Sequence, residues 1–215
     1  MNIQRKLVVL FFLAVVCCFT SCKSDDDDNC TTNWYRDIDN DGFGDLSNTQ
    51  TACTRPEGFV DNALDIDDLD NSLNPNSVWQ GAPILFEKID NADWNLESNQ
   101  DRITDNVWIT RANNRFIYNI AQEELGQTGC DMSSPNILPA DTEWASGTIV
   151  DGINSLSFDS LLVINNCNPS SMVNQSFVLH LISDNIYIDI TFLSWTSGGA
   201  GGGFSYERST SNLEL

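Results

Sequence analysis

The chain has 215 residues, 41% of them apolar, and carries 31 acidic against 10 basic side chains, a formal net charge of −21. That length allows one or two domains. The charge opposes binding to nucleic acid or to anionic lipid surfaces and favours divalent cations.

The first segment reads as an address rather than as part of a fold. Arg5 and Lys6 precede an apolar run, Leu7 to Val16, which is too short to span a bilayer and has the pattern of a secretory signal. It ends Phe19-Thr20-Ser21-Cys22. This resembles a bacterial lipoprotein signal, which implies removal of residues 1–21, with Cys17 and Cys18 among them, and lipidation of Cys22. Residues 22–29 hold the run Lys23-Ser24-Asp25-Asp26-Asp27-Asp28. That run is similar to the export signal of some Gram-negative lipoproteins, and it also suits a flexible acidic tether. The expected location is the bacterial outer membrane, facing the cell exterior. The membrane is then a partner through the lipid anchor, each buried CH₂ contributing ~0.8 kcal/mol.

Residues 30–77 are expected to form a small Asp-rich module. Asp37, Asp39, Asp41 and Asp45 recur with Gly42 and Gly44 between the later ones. Crowded carboxylates repel unless a cation neutralises them, and a hard divalent ion takes oxygen ligands in a flexible cage. The spacing matches positions 1, 3, 5 and 9 of a calcium loop, with the Phe43 carbonyl at position 7 and Gly42 at the turn. The loop is not an EF-hand, because position 12 is Asn48 rather than Glu. Asp65, Asp67, Asp68 and Asp70 are the expected suppliers of the missing ligands.

The ordered run Trp34-Tyr35-Arg36-Asp37-x-Asp39-x-Asp41-Gly42-Phe43-Gly44-Asp45, Ala52-Cys53, Pro56-x-Gly58-Phe59-Val60-x-Asn62, Asp65-x-Asp67-Asp68-x-Asp70 and Asn74-Pro75 resembles the bacterial MopE-type metal-binding module. That module is named after a copper-binding surface protein and is loosely similar to thrombospondin type 3 calcium repeats. Ile66 stands where the family usually has Cys. The family name points to copper. The donors point to calcium, because copper favours imidazole, thiolate or thioether and the stretch holds no His and no Met. The plain alternative is a solvated acidic linker. Trp34, Tyr35, Phe43 and Phe59 would back a module that folds around its ion.

Beyond Cys22, the cysteines that remain are Cys30, Cys53, Cys130 and Cys167, and four cysteines allow three connectivities. The pairing favoured here is Cys30–Cys53 and Cys130–Cys167, one bridge per module. Cys30 replaces the family's usual partner of Cys53, and each bridge contributes roughly 3–4 kcal/mol by loop closure.

Residues 78–215 read as strands throughout. Ile84 to Lys88 is short and apolar. Asn106–Arg111 and Phe116–Ile120 flank an Asn113-Asn114 turn and predict a hairpin. Ser155 to Val163 alternates and predicts another strand. Phe177–Ile182 and Ile186–Phe192 flank the Ser183-Asp184-Asn185 turn. In the second strand Ile186, Ile188, Ile190 and Phe192 share one face, while Tyr187, Asp189 and Thr191 share the other. Phe204 to Arg208 follows a glycine-rich turn, Gly198 to Gly203, and Glu123-Glu124-Leu125 hints at a helical turn. The predicted class is mainly β: the Asp-rich loop module, then an antiparallel β-sandwich or jelly-roll-like domain. The segments Gln100–Arg111, Ile117–Ala121, Asp141–Ala145 and Gly203–Thr210 resemble a β-domain that recurs in secreted bacterial proteins beside adhesive or calcium-binding modules.

Catalytic signals are sparse. His180 is the one histidine, and on an apolar strand it is more often packed and hydrogen-bonded than a base. Asp189 with a serine could complete a triad on paper, but no G-x-S-x-G supports it. Glu87, Glu143 and Glu207 could supply a glycosidase pair only if the fold brought two together. Trp108, Trp144 and Trp195 suit a sugar platform or, more commonly, a core. The expected function is a calcium-binding surface protein whose β-domain binds a glycan or a protein, calcium being structural and no residue catalytic. The rival readings are a surface hydrolase acting on glycans, a structural envelope protein and a copper-binding surface protein.

Overall fold

The computed structural model describes residues 31–130, 139–197 and 199–212. The lipidation residue Cys22, the acidic tether and Cys30 lie outside them. The molecule is mainly β, with antiparallel sheets and an Asp-rich cluster. Among the described residues no helix is long and apolar enough to cross a membrane.

The Asp-rich module is built on a small sheet. Its strands are β1 (Asn33–Arg36), β2 (Asp45–Thr51) and β3 (Phe59–Val60), in the order β2-β1-β3. The register of β1 on β2 breaks between Tyr35 and Arg36, just before the first loop carboxylate. Its apolar content is slight. Val60 is buried, Arg36 lies over the Phe59 ring, and Ile38, Leu46, Leu64 and Leu69 are exposed.

The larger sheet begins with β4 (Val78–Trp79), which pairs in parallel with β11 (Ile186–Trp195). Beyond β4 come β5 (Gly81–Lys88), β9 (Thr142–Ser146), β10 (Ser176–Leu181) and β12 (Phe204–Thr210), in the order β5-β12-β11-β10-β9. A third sheet consists of β6 (Asp101–Arg102), β7 (Trp108–Arg111) and β8 (Ile117–Asn119), in that order. Ile109 and Ile117 from that sheet share one apolar cluster with Leu179, Ile188, Ile190, Phe192, Phe204 and Tyr206 from the larger one. Burying each such side chain contributes ~1.5–3 kcal/mol. A polar clamp crosses the same layer. Arg208 donates to both carboxylate oxygens of Asp101 at 2.7 and 2.8 Å, and the Tyr206 hydroxyl donates to Asp101 Oδ2 at 2.7 Å.

The expected alternation in β11 is present. Ile188, Ile190 and Phe192 are buried, and Tyr187, Asp189 and Thr191 are half-buried on the opposite face. That second face is covered too, because Val178 and Tyr187 pack with Ile149, Ile153, Leu156 and Phe158. Leu73 of the Asp-rich module joins this second cluster at 3% exposure, and Asn154 donates to Asp67 Oδ2 at 3.0 Å. The two regions are therefore docked by apolar contact and a hydrogen bond.

One predicted strand is not a strand. Over Ser155 to Val163 the chain instead ends a 3₁₀ turn, Ile153–Ser155, and enters a short helix, α1 (Leu161–Ile164). Leu161 and Leu162 are both buried. The helical turn places the two neighbours side by side, where a strand would send them to opposite faces. The expected helical hint at Glu123 is a turn, with the Gln122 and Glu123 amides donating to the Asn119 carbonyl. Cys130 and Cys167 form the expected disulfide. Cys53 is disulfide-bonded as well, and its expected partner Cys30 lies outside the described residues.

Candidate metal centre

The loop between β1 and β2 carries the first carboxylates. Asp37 follows β1 and is anchored by its amide, which donates to the Gly58 carbonyl at 3.0 Å. Asn40 and Gly42 then take left-handed backbone, φ 64° and 95°, and tighten the loop. Asp41 donates its amide to Asp39 Oδ1, and Phe43 donates its amide to Asp41 Oδ1 at 2.8 Å. Each carboxylate thus uses one oxygen to hold the next turn and keeps the other free.

The second carboxylate group is tied to the first through the backbone. The Asp65 amide donates to the Gly44 carbonyl at 3.2 Å, and the Ile38 amide donates to Asp68 Oδ1 at 2.7 Å. Gly44 must be glycine for this approach, since a Cβ there would meet Tyr35 Cβ at 2.6 Å and the Asn62 carbonyl oxygen at 2.9 Å. The Asn62 side chain holds the loop from the other side by donating to the Gly42 carbonyl.

The outcome is two overlapping groups, Asp37–Asp39–Asp68 and Asp39–Asp41–Asp65. In each, one oxygen per residue lies within 4.8 Å of the others. Asp37 Oδ1, Asp39 Oδ2, Asp41 Oδ2 and Asp65 Oδ2 are shut off from solvent and accept no hydrogen bond. Buried polar atoms are normally satisfied, and an orphaned carboxylate oxygen is costly. These groups could hold a metal ion, and the donor set is all oxygen.

The electrostatics agree with the geometry. Burial, and then the charges of Asp41, Asp39 and Asp68, push the Asp65 carboxyl up to about 6. Burial, and then Asp41, Asp37 and Asp68, raise Asp39 as well. Carboxyls that resist ionisation through burial and, after it, neighbouring charge are ready for a cation.

The other expected ligands lie apart from both groups. Asp45 accepts from the Ser47 amide and hydroxyl, which hold its carboxyl below the usual range. Asp67 accepts from the Leu69 amide and from Asn154, and Asp70 accepts from the Ser72 amide and hydroxyl. Phe43 is half-buried and enters the loop through its amide.

The β-domain residues considered for chemistry are engaged elsewhere. His180 is 8% exposed, lies 2.7 Å from Glu143 Oε1 and 3.2 Å from Asn185 Oδ1, and stacks on Tyr187 with ring centroids 4.1 Å apart. Asp189 accepts from the Ile149 amide rather than facing His180. Trp144 is fully buried. Trp108 and Trp195 are half-buried beneath the guanidinium groups of Arg102 and Arg111. No protein-family model, curated protein or solved structure matches the chain.

Proposed function

We propose that the protein is a calcium-binding, lipid-anchored protein of the bacterial outer surface, in which the Asp-rich module is a spacer stiffened by calcium. It presents a β-sandwich, jelly-roll-like domain to an extracellular glycan or protein. The observation that carries the metal part is the set of buried, unpartnered oxygens on Asp37, Asp39, Asp41 and Asp65. Calcium is preferred over copper because every converging donor is a carboxylate, a hard ligand set with no imidazole or sulfur. The calcium would neutralise this cluster and join the loop before β2 to the segment after β3. The ordered motif run of residues 33–76 favours a MopE-type module. The docking of Leu73 and Asp67 on the segment 149–154 favours a stiff spacer over a loose tether. The leader and the lipidation of Cys22 rest on the sequence pattern alone.

The test is calorimetric titration of Ca²⁺ and of Cu²⁺ into metal-free protein, repeated with Asp37→Ala and Asp41→Ala combined. Calcium binding that disappears in the double variant supports the reading. Copper binding in its place, or no binding of either ion, refutes it.

A further inference from the structure

The β-domain holds a cationic cavity in an otherwise acidic molecule. It measures about 450 Å³ and lies where the β7–β8 turn meets the end of β11 and the glycine-rich loop. Arg111 and Arg115 both line it, and no Asp or Glu does, although the chain has 31 acidic residues against 10 basic ones. That segregation is the reverse of what the composition would produce by chance.

Arg111 is the centre of the site. Its side chain is built in. Nε donates to the Arg115 carbonyl at 2.7 Å, Nη1 donates to the Gly203 carbonyl at 2.9 Å, and the guanidinium lies 3.8 Å from the Trp195 ring centroid. The residue is 3% exposed, yet among the described residues the ion pairs are Arg102–Glu97, His180–Glu143 and Arg208–Asp101. Arg111 therefore has carbonyl and ring partners but no carboxylate within ion-pair distance. Burial pushes its pKa down to about 10, with Asp90 opposing the shift. A buried guanidinium normally sits against a carboxylate, because the pair offsets its desolvation. The glycine-rich loop makes this arrangement possible. A Cβ on Gly202 would lie 2.8 Å from the Ala112 carbonyl oxygen, so only glycine lets the loop run against the β7–β8 turn and bring the Gly203 carbonyl to Arg111.

The rest of the lining describes the ligand. Arg115 spends Nη1 on the Gly126 carbonyl and has further N–H groups. Asn114 and Ser170 add neutral polar groups, while Phe116 and Trp195 add apolar ring surface. A guanidinium pair suits a carboxylate. Neutral donors beside aromatic rings suit a polyhydroxylated ring with apolar C–H faces. The strongly negative chain opposes a long polyanion, so the charge must be carried by one unit of a short or chain-terminal ligand.

We propose that this cavity binds an acidic sugar of the uronate class, its carboxylate seated at Arg111 and Arg115. The proposal rests on the reading that the β-domain presents a ligand site, and it gives that site a place and a chemistry. The test is calorimetric titration of the calcium-loaded full chain with three probes: a trisaccharide ending in glucuronic acid, its glucose-ended counterpart and inorganic sulfate. The acid-ended sugar should bind at least tenfold more tightly than either other probe, and its affinity should fall as salt rises. Arg115→Gln, at a half-buried position, should weaken it at least tenfold, and Arg111→Lys should do the same by removing the planar fork. Should Arg111→Lys fail to fold, Arg115→Gln alone decides. Equal binding of acid-ended and glucose-ended sugars, sulfate binding as tight as the sugar, no binding of the acid-ended probe, or indifference to Arg115→Gln would each overturn the proposal. A glycan or protein ligand found by screening whose affinity ignores Arg115→Gln would overturn the cavity assignment and leave the surface-binding reading standing.

Discussion

The two regions of this molecule are stabilised by different means. The β-domain has one large apolar cluster, with Leu179, Ile188, Phe192 and Tyr206 fully buried. The Asp-rich module has the small sheet of β1, β2 and β3, with Val60 its one buried apolar strand residue among those described. In the first region order comes from water exclusion, which acts under any ionic condition. In the second, the chain is held by turns whose acceptors are carboxylates, and crowded carboxylates repel one another unless a cation neutralises them. One region should therefore be indifferent to calcium and the other governed by it.

The comparison can be attacked from the β side first. Asp101→Ala removes the acceptor shared by Arg208 and Tyr206 and takes the carboxylate away from a buried guanidinium. Breaking such a pair costs ~3–5 kcal/mol, read as a lower midpoint in urea unfolding, with calcium affinity unchanged. Leu179→Ala opens a cavity at a fully buried position and should cost ~2–5 kcal/mol, again without moving calcium affinity. A loss of calcium binding in either variant would show that the two regions are not separately stabilised.

The module should answer to pH instead. The folded Asp65 carboxyl is raised from 3.8 to about 6, so the folded, metal-free form binds its proton more tightly than the unfolded chain. That contribution favours folding below the ordinary carboxylate range and is lost as pH rises through about 6. Calcium needs the ionised form, so its affinity should run the opposite way and fall roughly tenfold per unit below that pH if one proton is displaced. A calcium titration series between pH 5 and pH 7, reading affinity, checks this. A flat profile would contradict the crowded-carboxylate account. The smallest effect is expected at Asp45, which is satisfied by Ser47 and lies outside both groups. Asp45→Ala should leave calcium affinity within about twofold and lower stability by no more than ~0.5–1.5 kcal/mol, the net worth of a typical hydrogen bond.

What could be read ahead of the structure was what is local. The Asp37–Asp41 spacing is a property of one loop, and the β10–β11 hairpin follows from an apolar run before a Ser-Asp-Asn turn and an alternating run after it. The choice among Asp65, Asp67, Asp68 and Asp70 was not legible. Asp65, Asp67 and Asp70 sit in similar Asx turns, and only the Gly44–Asp65 and Ile38–Asp68 contacts decide which carboxylates face the loop. The segment 155–164 misled because Leu156 and Phe158 alternate while Leu161 and Leu162 do not. The pairing of β5 with β12 joins distant parts of the chain, and the Arg111 cavity is assembled from several segments. Neither leaves a signature in any one stretch. The faint clue to the cavity was a pair of arginines around the Ala112-Asn113-Asn114 turn in a chain with few basic residues.

The most direct measurement is amide hydrogen exchange over the whole chain, with calcium and after its removal by chelation. The account predicts that protection in residues 37–70, at the Asp41, Phe43 and Asp65 amides above all, collapses on chelation, while β10, β11 and β12 exchange at unchanged rates. Equal protection of the module in both conditions would contradict it, and so would loss of protection in the β-domain together with the module.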